Sequence, residues 1–297
     1  MPLEAAVELL SHACRGRYAV GYFESWDVAS LEGVIDAAEQ SRAPVIIGFN
    51  GEFLARADRD PPARLEWYGA LGRAAAESAG VPCAVMFNEC PASDWVERAT
   101  RLGFNLVMLA DENADHAEFA GRVAKLVQQA HGRGVAVEAE LGVLPFGVAG
   151  HDGAAASLTD PEQAAAFVQD TGVDVLAVST GNVHILVDGQ RSLDLAHLAA
   201  IRRKVGVPLA LHGGSGIAAE SLADAISMGV AKVNYGTYLK QRCLAAVRRT
   251  LADADGNANP HRILGDGGRA DLMVAVRRAV RDAVLERIGL LGCCGKA

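Results

Sequence analysis

From end to end the chain alternates short apolar runs with amphipathic stretches of helical spacing, and no turn chemistry in it signals an antiparallel hairpin. Parallel strands cannot be joined by tight turns and need a crossover, usually a helix, so this alternation allows few architectures. Strands are expected at 18–23, 44–49, 83–87, 106–109, 136–141, 173–178, 208–211 and 231–235. Between them, helices are expected at 30–41, 95–102, 116–132, 161–171, 194–204 and 219–228, with a loop and a long helix sharing 54–80. The helix at 116–132 carries Phe119, Val123, Leu126, Val127 and Ala130 at helical spacing. Thr159, Asp160 and Pro161 read as a cap followed by proline in a first turn. Eight such β/α units predict a closed (β/α)₈ barrel. At 297 residues, with no shift of composition along the chain, it is expected to be one domain over 1–297, with a mobile active-site loop at 143–157.

Composition narrows the partners. The chain is 51% hydrophobic and 22% charged, with a net charge of −8. It has no basic run, which argues against nucleic acid. No apolar run reaches the roughly 18 residues of a membrane span, and residues 1–15 lack a signal-peptide layout. The six cysteines (14, 83, 90, 243, 293 and 294) form no CxxC pair. Reduced thiols in a cytoplasm are the simplest expectation.

In a barrel of this kind chemistry sits at the C-terminal ends of the strands. Those ends carry Glu24, Trp26 and Asp27; Asn50 and Glu52; Asn88 and Glu89; Asp111 and Glu112; Glu138 and Glu140; the run Ser179 to His184; then His212 and Asn234. His184 and His212 therefore converge with several carboxylates, a donor set that suits Zn²⁺, Mn²⁺ or Fe²⁺. After the seventh strand comes Gly213-Gly214-Ser215-Gly216, and the eighth runs into Asn234, Gly236 and Thr237. A glycine-rich turn at a helix start leaves backbone N–H groups pointing one way, which makes a phosphate cradle. Glycine also relieves strain in ordinary turns, but two such turns on successive strands favour anion capture.

These residues carry a family resemblance. The stretch Leu211 to Ile217, with Ala225 to Asn234, resembles the class II, metal-dependent fructose- and tagatose-bisphosphate aldolases. So do Val137 to Gly142, Thr159 to Ala164 and the close at 292–297. The resemblance implies a Zn²⁺ or other divalent ion, held by three histidines at three strand ends. That ion polarises a ketose carbonyl and stabilises an enediolate while a C–C bond breaks. By the resemblance His184 and His212 take two ligand positions, and Glu140 stands beside the metal. Gly213, Gly214, Ser215, Asn234, Gly236 and Thr237 take the phosphate and monovalent-cation loops.

The departures bear on specificity. Where the family has Asp-His after the third strand, with the Asp moving protons and the His on the metal, this chain has Asn88-Glu89. A carboxylate can replace an imidazole as ligand, whereas Asn88 cannot accept a proton near neutral pH. Glu24 stands in place of an Asn, Ile185 in place of a Gly, and His151 where some members carry a proton-donating Glu. New ionisable groups answer the lost ones, so an active enzyme of altered specificity is expected. The expected metal ligands are Glu89, His184 and His212. Glu24 or His151 is expected to move protons, with Asn88 and Glu140 completing the catalytic set. The reaction expected is aldol cleavage or formation of a C–C bond in a ketose phosphate or related sugar acid. The rivals are an epimerase or isomerase sharing the enediolate, and a sugar-phosphate sensor without turnover. The resemblance also implies a homodimer or homotetramer.

Overall fold

The computed structural model describes residues 2–111, 114–142, 144, 157–183, 189–254 and 259–297. Eight parallel strands close into a barrel in sequence order. They are β1 (Val20–Glu24), β2 (Val45–Asn50), β3 (Cys83–Cys90), β4 (Leu106–Leu109), β5 (Ala136–Leu141), β6 (Val175–Val178), β7 (Leu209–Leu211) and β8 (Val230–Tyr235). Closure comes from β1 pairing with β8, Tyr22 opposite Asn234. The chain is a (β/α)₈ barrel, as its alternation requires.

The helices come in chain order as α1 (Ala6–Gly16), α2 (Val28–Ser41), α3 (Gly51–Leu54), α4 (Leu65–Ser78), α5 (Ser93–Ala99) and α6 (His116–His131). They continue with α7 (Pro161–Thr171), α8 (Leu195–Lys204), α9 (Ala219–Ser227), α10 (Thr237–Ala252), α11 (Pro260–Ile263) and α12 (Leu272–Leu291). Asp160 caps α7 by accepting from Glu162 and Gln163 N–H, with Pro161 in the first turn. One continuous apolar core joins Ala6 and Leu10 of α1 to Ile288 and Leu291 of α12. No helix among the described residues is long and apolar enough to cross a membrane, and all six cysteines are free thiols.

Three features differ from the expectation. First, α1 precedes the barrel and buries Ala6, Leu9, Leu10 and Ala13. Ahead of it, Pro2 and Glu4 bond the backbone of Cys83 at the start of β3, which covers that end of the barrel. Second, β3 runs to Cys90 rather than ending at residue 87, because a bulge between Phe87 and Cys90 lets pairing with β4 resume. Bulges bend a strand and re-aim its side chains; here the affected pair is Asn88-Glu89, and Glu89 has φ 50°. A non-glycine residue in that region stores strain of about 1–3 kcal/mol, a cost found disproportionately at functional sites. Third, Gly214–Gly216 forms a 3₁₀ turn of its own ahead of α9, which begins at Ala219 as expected. Gly216 and Ile217 N–H turn back on the carbonyls of Gly213 and Gly214, so those two donors are spent inside the turn.

Candidate active site

Strand geometry places Glu138 and Glu140, two residues apart on β5, on one face of that strand. Glu138 is fully buried, and Lys232 of β8 is fully buried against it. Lys232 Nζ donates to Glu138 Oε1 at 3.0 Å and to Asn234 Oδ1 at 2.5 Å. It also lies 5.2 Å from the centre of the Tyr22 ring. With its oxygen turned to Lys232, Asn234 presents its amide nitrogen to Asn88 Oδ1 at 3.4 Å. Burial alone would raise the Glu138 pKa, but the Lys232 charge and the His212 contact outweigh it and hold the carboxyl below its ordinary value. A buried lysine inside an apolar strand is tolerable only when paired, and here the pair forms the floor of the site.

His212 stands at the end of β7, 1% exposed. Its Nε2 meets Glu138 Oε1 at 2.9 Å. Its Nδ1 lies 3.2 Å from both Glu89 Oε1 and Glu140 Oε2, yet has no aligned hydrogen-bond partner among the described residues. Burial would lower the His212 pKa, but the carboxylates of Glu140, Glu138 and Glu89 reverse that and hold it well above its ordinary value. Glu89 is fixed in turn by Asn50 Nδ2, which donates to its Oε2 at 2.8 Å.

This donor set fits a divalent cation. Once His212 gives up its second proton to an ion, a carboxylate on Nε2 selects the tautomer whose Nδ1 carries the lone pair, the arrangement that orients metal-binding histidines. Three carboxylates face one ammonium and one imidazole, so the centre has negative charge to neutralise. Among the described residues no three His, Cys, Asp or Glu side chains hold an ion by themselves. Of the expected ligand set, the structure brings Glu89 and His212 together; His184 lies outside the described residues, as do His151 and most of the 143–157 loop.

Beside this centre a cavity of about 330 Å³ is lined by Glu24, Asn88, Glu89, Gly213, Ser215, Asn234, Gly236 and Thr237, which the sequence singled out, and by Tyr22 and Lys240, which it did not. Gly213, at φ 66°, opens the turn after β7. Gly214 faces β8: a Cβ there would meet Val233 Cγ1 at 2.5 Å and the Asn234 carbonyl oxygen at 2.9 Å. That glycine is therefore required by packing, and a larger side chain would displace the turn rather than merely cover an anion. The helix that starts at the cavity is α10, with Gly236 as its N-cap, rather than α9.

Glu24, at the end of β1, is 7% exposed. Its Oε1 accepts from Lys240 Nζ at 2.5 Å, and Lys240 packs over the Phe53 ring 4.4 Å from its centre. Two residues earlier, Tyr22 lines the cavity, and its buried hydroxyl has no hydrogen-bond partner among the described residues. Burial, then the charges of Glu24, Glu89 and Glu138, push the Tyr22 pKa well up, so its phenol stays protonated. Of the other strand-end candidates, Asp27 caps α2 by accepting from Ser30 N–H, and Asp111 pairs with Arg122 at 2.6 Å. The sequence carried signals for two partners it did not single out. Lys232 interrupts the apolar run of β8, and Tyr22 shares a strand face with Glu24.

A (β/α)₈ barrel with a buried carboxylate–histidine centre at its strand ends, beside a glycine-lined cavity, has its candidate site where barrel enzymes carry theirs. The sequence profile described as fructose-bisphosphate aldolase class-II matches residues 4–296. The chain belongs to that family. The Escherichia coli K12 protein YdjI is 33% identical over 291 residues, covering 96% of each chain. The fructose-bisphosphate aldolase of Geobacillus stearothermophilus is 32% identical over 308 residues, covering all of this chain and 99% of the other. The crystal structure of the Escherichia coli K12 YdjI aldolase superposes with a TM-score of 0.82 and 32% identity over 99% of both chains. The family is one of aldolase lyases, generally dependent on a divalent metal.

Proposed function

We propose that this chain makes or breaks a C–C bond in a ketose phosphate or related sugar derivative by metal-dependent aldol chemistry. The observation that carries this reading is His212: buried, tied to Glu138 through Nε2, and presenting Nδ1 to Glu89 and Glu140. The proposed ligands are Glu89, His212 and, by resemblance, His184; a divalent ion there supplies Lewis-acid polarisation of a ketose carbonyl. Glu138 orients the imidazole, and Lys232 keeps Glu138 ionised. Asn88 replaces the family's proton-transfer carboxylate and serves as a hydrogen-bonding group linked to Asn234. Proton acceptance passes to Glu140, whose Oε1 is buried without a hydrogen-bond partner among the described residues. The Tyr22 hydroxyl supplies the donor on the cavity side, a role that geometry must satisfy before pKa. In this proposal the protein works in the cytoplasm as a homodimer or homotetramer.

Asn88 specifically favours a second reading, proton transfer without bond cleavage, as in an epimerase. A panel of ketose phosphates and keto sugar acids, followed for both aldehyde release and epimer formation, separates the two. The expected result is aldehyde release that falls at least about 10³-fold in His212→Ala. Epimer formation without aldehyde selects the second reading. Binding without either product leaves a sensor.

A further inference from the structure

Resting on the reading just proposed, we infer that Glu24 is a specificity residue. Its carboxylate fills the place over Gly236 that a phosphoryl oxygen would take, so the substrate atom seated there is a free hydroxyl. Gly236 is the N-cap of the 16-residue helix α10, and its backbone is where an anion would meet the positive end of that helix. That position is already filled from within the chain: a Cβ built on Gly236 would collide with Glu24 Oε2. The carboxylate is clamped there. Lys240 sits one turn into α10, its N–H bonded to the Gly236 carbonyl at 3.1 Å, and its ammonium holds Glu24 Oε1 at 2.5 Å. Phe53 backs the ammonium from the other side.

Glu24 thus engages the one lysine that lines this cavity among the described residues, and its other carboxylate oxygen lies against Gly236 at the start of α10. A phosphate arriving at Gly236 would meet a like charge and would have to break the Glu24–Lys240 pair. A sugar hydroxyl meets the opposite situation, because it can donate to Glu24 and accept from Thr237 in the same wall of the cavity. Among the described residues the other charges lining the cavity, Glu52 and Glu89, reinforce the preference for an uncharged group at this end. The ligand class is therefore a polyol whose end over Gly236 is unphosphorylated.

Calorimetric titration of the full chain with inorganic phosphate tests this without reference to turnover. The wild type is expected to bind weakly, and Glu24→Asn, shorter and uncharged, at least about 10-fold more tightly, a change of about 1.4 kcal/mol. Equal binding by wild type and variant, with unchanged melting temperatures, overturns the inference. Should Glu24→Asn fail to fold, the wild type decides alone, by cleavage of matched ketoses with and without phosphate at one end. Preference for the member that carries that phosphate overturns the inference. Cleavage of neither member defeats the aldolase reading, while the phosphate titration still decides the role of Glu24.

Discussion

Replacing Lys232 by methionine keeps most of the stem volume and removes the ammonium, which isolates the charge beneath the site. In the wild type that ammonium is completely buried and bonds Glu138 at 3.0 Å and Asn234 at 2.5 Å. Without it, Glu138 keeps only its His212 contact at 2.9 Å, and its Oε2 already has no partner among the described residues. Breaking a buried pair by deleting one member costs about 3–5 kcal/mol, because a charge is left uncompensated. We expect Lys232→Met to fall in that range. The double variant Lys232→Met/Glu138→Gln should recover about 2 kcal/mol or more, since a neutral pair leaves no orphan charge. Urea unfolding in chelator, which holds metal linkage constant, provides the measurement. The sign of its pH dependence follows from Glu138. A depressed carboxyl pKa contributes stability that is fully present above the unfolded value, near pH 4, and lost as pH falls through the folded value. The penalty in Lys232→Met should therefore shrink in acid. A loss under about 1 kcal/mol at neutral pH would refute the view that this pair carries the floor of the site.

Further outcomes follow from the same geometry. His212, held well above its ordinary pKa by Glu140, Glu138 and Glu89, carries a proton in the metal-free chain at neutral pH. Metal binding should eject about one proton per ion, read by calorimetry in buffers of different ionisation enthalpy; no buffer dependence would contradict His212 as ligand. In the metal-free chain the same raised pKa contributes stability that is present below about pH 6.5 and lost as pH climbs through the folded value, measurable by thermal melts. Tyr22→Phe should fold normally and lower kcat by about 10²-fold with little change in KM, and an unchanged kcat removes the hydroxyl from the mechanism. Asn88→Asp/Glu89→His should tighten divalent-metal binding yet give at most weak fructose-bisphosphate cleavage, because Glu24 still covers Gly236. Full cleavage by that variant would show that Glu24 does not set specificity.

The barrel was legible because period and length leave a parallel alternation few other solutions, and strands such as β4 and β5 begin and end at the residues expected. α1 escaped because it lies before the first strand, outside the repeat used to find the units. The extension of β3 escaped because a bulge leaves no compositional mark; Asn88-Glu89 reads as a loop until pairing with β4 resumes at Cys90. Within the site, Glu89 and His212 were recognisable from their strand-end positions and lie together. Glu24 was recognisable as a new carboxylate, but its partner Lys240 lies 216 residues away, a proximity only barrel closure creates. Lys232 could have been found by asking what a charge does in the middle of β8. Gly214 was singled out for an anion turn, and the structure gives it a packing reason as well: without a side chain its turn can approach β8.

Class II aldol chemistry is expected to survive the exchange of Asp-His for Asn88-Glu89. One measurement bears on it directly: metal content and aldehyde release, followed in the same wild-type sample through chelation and reloading with Zn²⁺ or Mn²⁺. About one ion per chain is expected when loaded, with cleavage that disappears on chelation and returns with the ion. Cleavage that persists after the metal is stripped, or a chain that takes up no divalent ion at all, would contradict it.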